Sequence, residues 1–176
     1  MGVAGAWGSL RTLGAGVPAD PYTNRRRADT VVAMEYLAVC TGNTCRSPML
    51  AALLRQRLAA AGLRDRVTSA GTGAASGEPA SAGAIREMAK RGIDLAGHRS
   101  ANVRALDLAG FDRVLCMSSS HAAYLRSLGV PPGHLEVVNA EGGGVPDPYG
   151  GDAAEYAACA EVLARYADAL VGARKA

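Results

Sequence analysis

Five residues separate Cys40 from Arg46 in the stretch VCTGNTCRSPML, residues 39–50. A thiolate is a strong nucleophile, and a guanidinium can fork two hydrogen bonds onto one oxyanion. Gly42 and Asn43 lie between them, and both are expected to permit the left-handed backbone that curls a loop. Curling aims successive N–H groups inward and builds an anion nest, and a following helix would add its positive end. Donors gathered around Cys40 would stabilise its thiolate. Ser47 can donate a further hydrogen bond to that thiolate. Thr41, Thr44 and Cys45 complete the loop and would line whatever anion it holds. The competing structural reading is a buried cysteine before a helix cap, which would need neither Gly, Asn nor Arg.

Displacing a phosphoryl group also requires a general acid for the leaving atom. The segment NAEGGGVPDPYGGD, residues 139–152, holds five glycines and two prolines. A loop of that length in a compact domain is usually functional or disordered. Asp147 sits between Pro146 and Pro148, which stiffen it in an extended segment. The plainer reading of Asp147 is an Asp-Pro turn, and only the Cys40 loop outweighs it.

The chain carries its own control for the spacing. Cys159 and Arg165 in CAEVLAR are also separated by five residues. That segment lacks glycine and reads as continuous helix, so six steps of about 100° place the two side chains on separate faces. Cys159 falls on an apolar stripe with Tyr156, Leu163, Tyr166 and Leu170, which marks it as core.

Alternating strands and helices must position these groups. EYLAVC (35–40) reads as a buried strand, and Ser47–Pro48 as the start of a helix stopped by Gly62. RVTSAG (66–71) is a second strand, followed by a helix over 80–92. DRVLCM (112–117) is a third strand and SSSHAAYLRSLG (118–129) its helix. HLEVV (134–138) is the fourth strand, and a last helix spans about 152–171, opened by a capping box of Asp152 and Glu155. Such alternation implies an α/β fold with parallel strands and right-handed crossovers. Ligands then sit at the carboxyl ends of the strands, where both the Cys40 loop and the Asp147 loop emerge.

Composition sets the outer bounds. The chain has 176 residues, enough for one domain with a real core. Hydrophobic residues make up 49 % and charged residues 20 %, and the net charge is +3, part of it from the run Arg25–Arg27. With one Trp and one Phe, stacking platforms for nucleic acid are not expected. No apolar run reaches membrane-spanning length, so no membrane partner is expected. Four cysteines without a secretory leader suggest free thiols in the cytoplasm, and no Cys/His spacing suggests a metal. Residues 1–33 differ from the rest: they are Gly/Ala-rich, aperiodic and end past an arginine run. They fit neither a secretory signal nor an N-myristoylation pattern. The expectation is a disordered N-terminal extension or a start codon placed too early, with Met34 as the natural start. A weak organelle-targeting reading also stands. The folded domain would cover residues 34–176.

VCTGNTCRSPM followed late by DPYGG resembles the low-molecular-weight protein tyrosine phosphatase family, over residues 35–171. Other tyrosine phosphatases use the same Cys-x5-Arg but place their acid before the cysteine. The resemblance implies a three-layer sandwich with a four-stranded parallel sheet of order 2-1-3-4. It implies Cys40 as nucleophile, Arg46 as phosphate-binding arginine and Asp147 as general acid and later base. Thr41, Gly42, Asn43, Thr44, Cys45, Ser47 and Tyr149 match substrate-binding positions. Asn43, Ser47, Ser69 and His98 match a hydrogen-bonding set that shapes the loop, though His98 alone reads as a surface histidine. Cys45 matches a second loop cysteine able to trap Cys40 in a reversible disulfide. A cysteinyl-phosphate intermediate, no metal and no cofactor are implied. The implied partners are phosphorylated proteins and an opposing kinase.

Within that family resemblance, Thr44 bears on the substrate. Tyrosine-specific members commonly carry isoleucine there, and members acting on protein phosphoarginine carry threonine. A threonine hydroxyl can accept from guanidinium N–H groups, whereas an aliphatic wall suits a phenyl ring. Gly150 and the aromatic-free segment GTGAASGEPA (71–80) lean the same way. The resemblance therefore favours phosphoarginine over phosphotyrosine. Arsenate reductases share the loop but need two more cysteines near the third strand. Cys116 has no such partner and reads as core. A non-catalytic phosphate-binding relative would be expected to have lost one of Cys40, Arg46 and Asp147.

Overall fold

The structure, a computed structural model, describes residues 32–176. The expected extension over residues 1–33 therefore lies almost wholly outside the described residues. Strand β1 (Glu35–Cys40) leads into helix α1 (Arg46–Ala60), and β2 (Arg66–Gly71) into α2 (Ala82–Lys90). Two short 3₁₀ turns precede β3 (Arg113–Cys116) and α3 (Ser119–Ser127). Strand β4 (Leu135–Val137) and a further 3₁₀ turn lead to α4 (Ala153–Lys175).

The four strands form one parallel sheet in the order β2-β1-β3-β4, as the resemblance implies. Strand β1 is central: Cys40 is in register with Gly71, and Val39 with both Ala70 and Cys116. Side chains on a strand alternate between faces, and β1 follows that period into two cores. Tyr36, Ala38 and Cys40 join residues of α1, α2 and α4 on one face. Leu37 and Val39 join Val114, Cys116 and Leu125 of β3 and α3 on the other. The result is three layers, with Cys116 fully buried inside the sheet as expected.

Helix ends obey local chemistry. Ser81 caps α2 by accepting from Ala84 N, and Ser118 caps α3 by accepting from His121 N. Asp152 and Glu155 form the expected capping box on α4. Helix α1 departs from expectation: it begins at Arg46, so Pro48 is not its first residue. The reason is that Ser47 is not used as a cap. Its hydroxyl is turned to Cys40 and Asn43, and the N-cap residue Cys45 makes no side-chain cap. Among the described residues no helix is long and apolar enough to cross a membrane.

Candidate active site

The Cys40 loop closes on itself through sulfur. Asn43 N donates to Cys40 Sγ at 3.3 Å, and Ser47 Oγ lies 3.0 Å from the same atom. Asn43 is fully buried and takes the left-handed conformation, φ 55°. Its side chain holds that strained geometry on every side. Nδ2 donates to Ser47 Oγ at 2.9 Å and Ser69 Oγ at 3.1 Å, and Oδ1 accepts from Ala101 N at 2.9 Å. His98 Nε2 donates to the Asn43 carbonyl at 2.7 Å. Burial is the main influence that lowers the His98 pKa, opposed by that backbone bond. The loop-supporting set of Asn43, Ser47, Ser69 and His98 is thus brought together.

Gly42 corrects one expectation: it does not adopt positive φ. A Cβ there would meet only Thr44 Oγ1, at an ordinary 3.5 Å, so neither dihedral nor crowding demands a glycine. Asn43 makes the turn instead, because its side-chain bonds repay the left-handed strain. The glycine the loop does require is Gly71 at the end of β2. A Cβ there would stand 2.9 Å from Asn43 N and collide with the Thr41 carbonyl. That dependence was hidden from the sequence, because the crowding comes from the neighbouring strand.

Arg46 is almost wholly buried, 7 % exposed. Its Nη2 reaches Asp147 Oδ2 at 2.5 Å and its Nη1 the Val145 carbonyl at 3.3 Å. Its Nε is buried without a hydrogen-bond partner among the described residues. A buried unpaired donor is costly, and a guanidinium Nε–H can form one arm of a bidentate bond to an oxyanion. Asp147 also accepts from Tyr149 N at 3.2 Å, a local turn that orients its carboxylate. Residues more than a hundred positions apart in sequence therefore meet at one strand edge.

The Asp147 loop is fixed at its root. Val145 N donates to the Met117 carbonyl at 2.9 Å, at the end of β3. Gly144, with φ 107°, lies so near that a Cβ would come within 2.7 Å of the same carbonyl oxygen.

These groups surround a cavity of about 630 Å³. Cys40, Thr41, Gly42, Thr44, Cys45 and Arg46 line it. Asp147 and Tyr149 line it also, and the segment 78–82 contributes further lining. Tyr149 is 72 % exposed. Among the described residues no cluster of three or more His, Cys, Asp or Glu could hold a metal. All four cysteines are free thiols.

Two groups of contacts were not legible in the sequence. Cys45 Sγ lies 3.1 Å from Ser81 Oγ and 3.4 Å from Tyr156 OH, which bind each other at 3.0 Å. Tyr156, placed by periodicity on an apolar stripe, therefore also supplies a hydroxyl under the loop. His121 Nε2 lies 2.9 Å from Thr41 Oγ1, and its Nδ1 2.7 Å from Ser118 Oγ. No motif marks His121, because only the packing of α3 beneath the sheet edge brings it to the loop.

The family model described as "Low molecular weight phosphotyrosine protein phosphatase" matches residues 25–175. A "Protein-arginine-phosphatase" of Geobacillus stearothermophilus is 36 % identical over 140 residues, covering 76 % of this chain and 91 % of that protein. The "Probable low molecular weight protein-tyrosine-phosphatase EpsP" of Ralstonia nicotianae is 42 % identical over 91 residues, covering 52 % of this chain. That match spans 60 % of the relative's length. A low molecular weight protein tyrosine phosphatase structure from T. tengcongensis superposes with TM-score 0.76 at 37 % identity, covering 80 % of this chain and 99 % of that one.

Proposed function

The chain belongs to the low molecular weight phosphotyrosine protein phosphatase family, and from that premise we propose that it hydrolyses phosphoarginine on proteins through a cysteinyl-phosphate. The convergence of Cys40, Arg46 and Asp147 on one cavity carries the phosphatase reading. The Cys40 thiolate attacks phosphorus in line, with Ser47 Oγ and Asn43 N stabilising the sulfur charge. Arg46 turns its fork to two phosphoryl oxygens, and the loop amides take the rest of the charge. Asp147 protonates the departing atom, then takes a proton from the water that cleaves the S–P bond. Cys45 is the resolving partner that could capture an oxidised Cys40 as a disulfide.

Thr44 supports arginine as the substrate residue. It lines the cavity, and its Oγ1 has only a loose 3.7 Å contact with Cys45 Sγ. It is therefore available to accept from a guanidinium. Segment 78–82 brings no aromatic ring to the cavity. Phosphotyrosine is the second reading, favoured by the exposed Tyr149 at the cavity, which can stack on a phenyl ring.

Purified protein assayed on phosphoarginine and phosphotyrosine peptides separates the two. We expect kcat/KM to favour phosphoarginine, and Thr44→Ile to shift the ratio toward phosphotyrosine by about tenfold or more. Faster turnover of phosphotyrosine by the unaltered protein, or a Thr44→Ile variant with unchanged preference, would reject phosphoarginine.

A further inference from the structure

Arg46 is a direct tie between the Cys40 loop and the Asp147 loop, through Val145 O and Asp147 Oδ2. On the mechanism above, that tie must loosen. Arg46 has to share its donors with phosphoryl oxygens, and Asp147 has to carry a proton, which removes half of the ion pair. Yet Asp147 must stay in place, because proton transfer needs hydrogen-bond distance.

A second tie between the loops passes through neither Arg46 nor the Asp147 carboxylate. Thr41 Oγ1 bonds His121 Nε2 at 2.9 Å, and His121 Nδ1 bonds Ser118 Oγ at 2.7 Å. Ser118 follows Met117, whose carbonyl accepts from Val145 N at 2.9 Å. Gly144 also packs against this corner: a Cβ there would stand 3.3 Å from Ser118 Cα. The path thus runs from the residue after Cys40 to a residue two before Asp147.

The chemistry of the bridging residue suits the task. A neutral imidazole donates from one nitrogen and accepts at the other, and each hydroxyl can take either role. His121 is 6 % exposed, so water competes little for its bonds. Burial first, then the Arg46 charge, hold its pKa below the ordinary value, against the opposite pull of Asp147. The ring is therefore neutral near pH 7, as the bridge requires.

The geometry points to His121 as a positioning residue that keeps the Asp147 loop in register with the Cys40 loop while Arg46 is engaged by a phosphoryl group. This rests on the reading of Asp147 as general acid.

Leaving-group dependence tests it. Phenyl phosphate needs its leaving oxygen protonated, and p-nitrophenyl phosphate needs this far less. His121→Ala is expected to lose about tenfold more kcat/KM on phenyl phosphate than on p-nitrophenyl phosphate. Inhibition by inorganic phosphate should stay within about twofold, since the anion loop keeps its own bonds. His121→Gln, with one donor and one acceptor, should recover part of the loss. Thr41→Val, which cuts the same tie from the other end, should reproduce the pattern and serves if His121→Ala does not fold. Equal losses on both substrates would overturn the inference, as would phosphate binding weakened in step with kcat/KM. Asp147→Asn is run alongside. If it discriminates between the two substrates and His121→Ala does not, the inference alone fails. If Asp147→Asn does not discriminate, the acid assignment fails and this inference with it.

Discussion

Two segments of this chain place an arginine six positions after a cysteine. In one, Cys40 and Arg46 are both buried and line a single cavity. In the other, Cys159 is buried in the core while Arg165 is exposed on the far side of α4. The backbone makes the difference. Asn43 turns the first segment through φ 55°, and the second is unbroken helix. In the helix the thiol meets only packed side chains, and burial pushes its pKa up to about 12. In the loop the sulfur accepts from a backbone N–H and lies 3.0 Å from a serine hydroxyl. A spacing is chemically meaningful only through the backbone that spans it.

Substituting the two cysteines tests this contrast most severely. Cys40→Ser should lose about 10³-fold or more in kcat. Cys159→Ala should keep activity and lose about 1 kcal/mol of stability. Retained hydrolysis in Cys40→Ser would erase the distinction. The arginines come next. Arg46→Lys should cost about 10²-fold in kcat/KM by removing the fork. Arg165→Lys, at an exposed position, should change stability by less than about 0.5 kcal/mol.

The residues between give a smaller contrast. Asn43 and Val162 occupy the same offset in their segments. Asn43→Ala strips partners from Ser47, Ser69 and Ala101 and should cost about 2–3 kcal/mol in denaturant unfolding, with activity falling in parallel. Val162→Ala, half-buried on α4, should cost about 1 kcal/mol with activity kept.

The smallest effect is a pH slope. His98 and His121 back the loop, and both have pKa values lowered from 6.5. A depressed histidine leaves the unfolded chain binding more protons once pH drops below that ordinary value. Their contribution is therefore full above about pH 6.5 and is lost as pH falls through the folded values. Urea midpoints should decline from pH 7 to 5, and less steeply in His98→Asn. An unchanged slope would remove His98 from this role.

Much of this was legible because it is local. Alternating apolar patterns, Asp152 with Glu155, and the two prolines around Asp147 each act within a few residues. So did the contrast between CTGNTCR and CAEVLAR, which turned on Gly, Asn and helix period. Where local reading failed, a longer-range demand had intervened. Ser47 opens no helix because its hydroxyl is turned to sulfur, and Gly42 needs no positive φ because Asn43 makes the turn, held by its bonds with Ser69, His98 and Ala101.

Residue types and their local pattern are enough to specify an α/β chain with a thiol and a guanidinium on a curled loop and a carboxylate on a stiff one. Those follow from residue type, backbone preference and period, which each residue carries with it. That Asp147 meets Arg46, that Gly71 must lack a side chain, and that His121 bridges Thr41 to Ser118 emerges from the packed fold. Such contacts depend on strand register and on which helix packs beneath which edge, and neither is encoded in any short stretch of the chain.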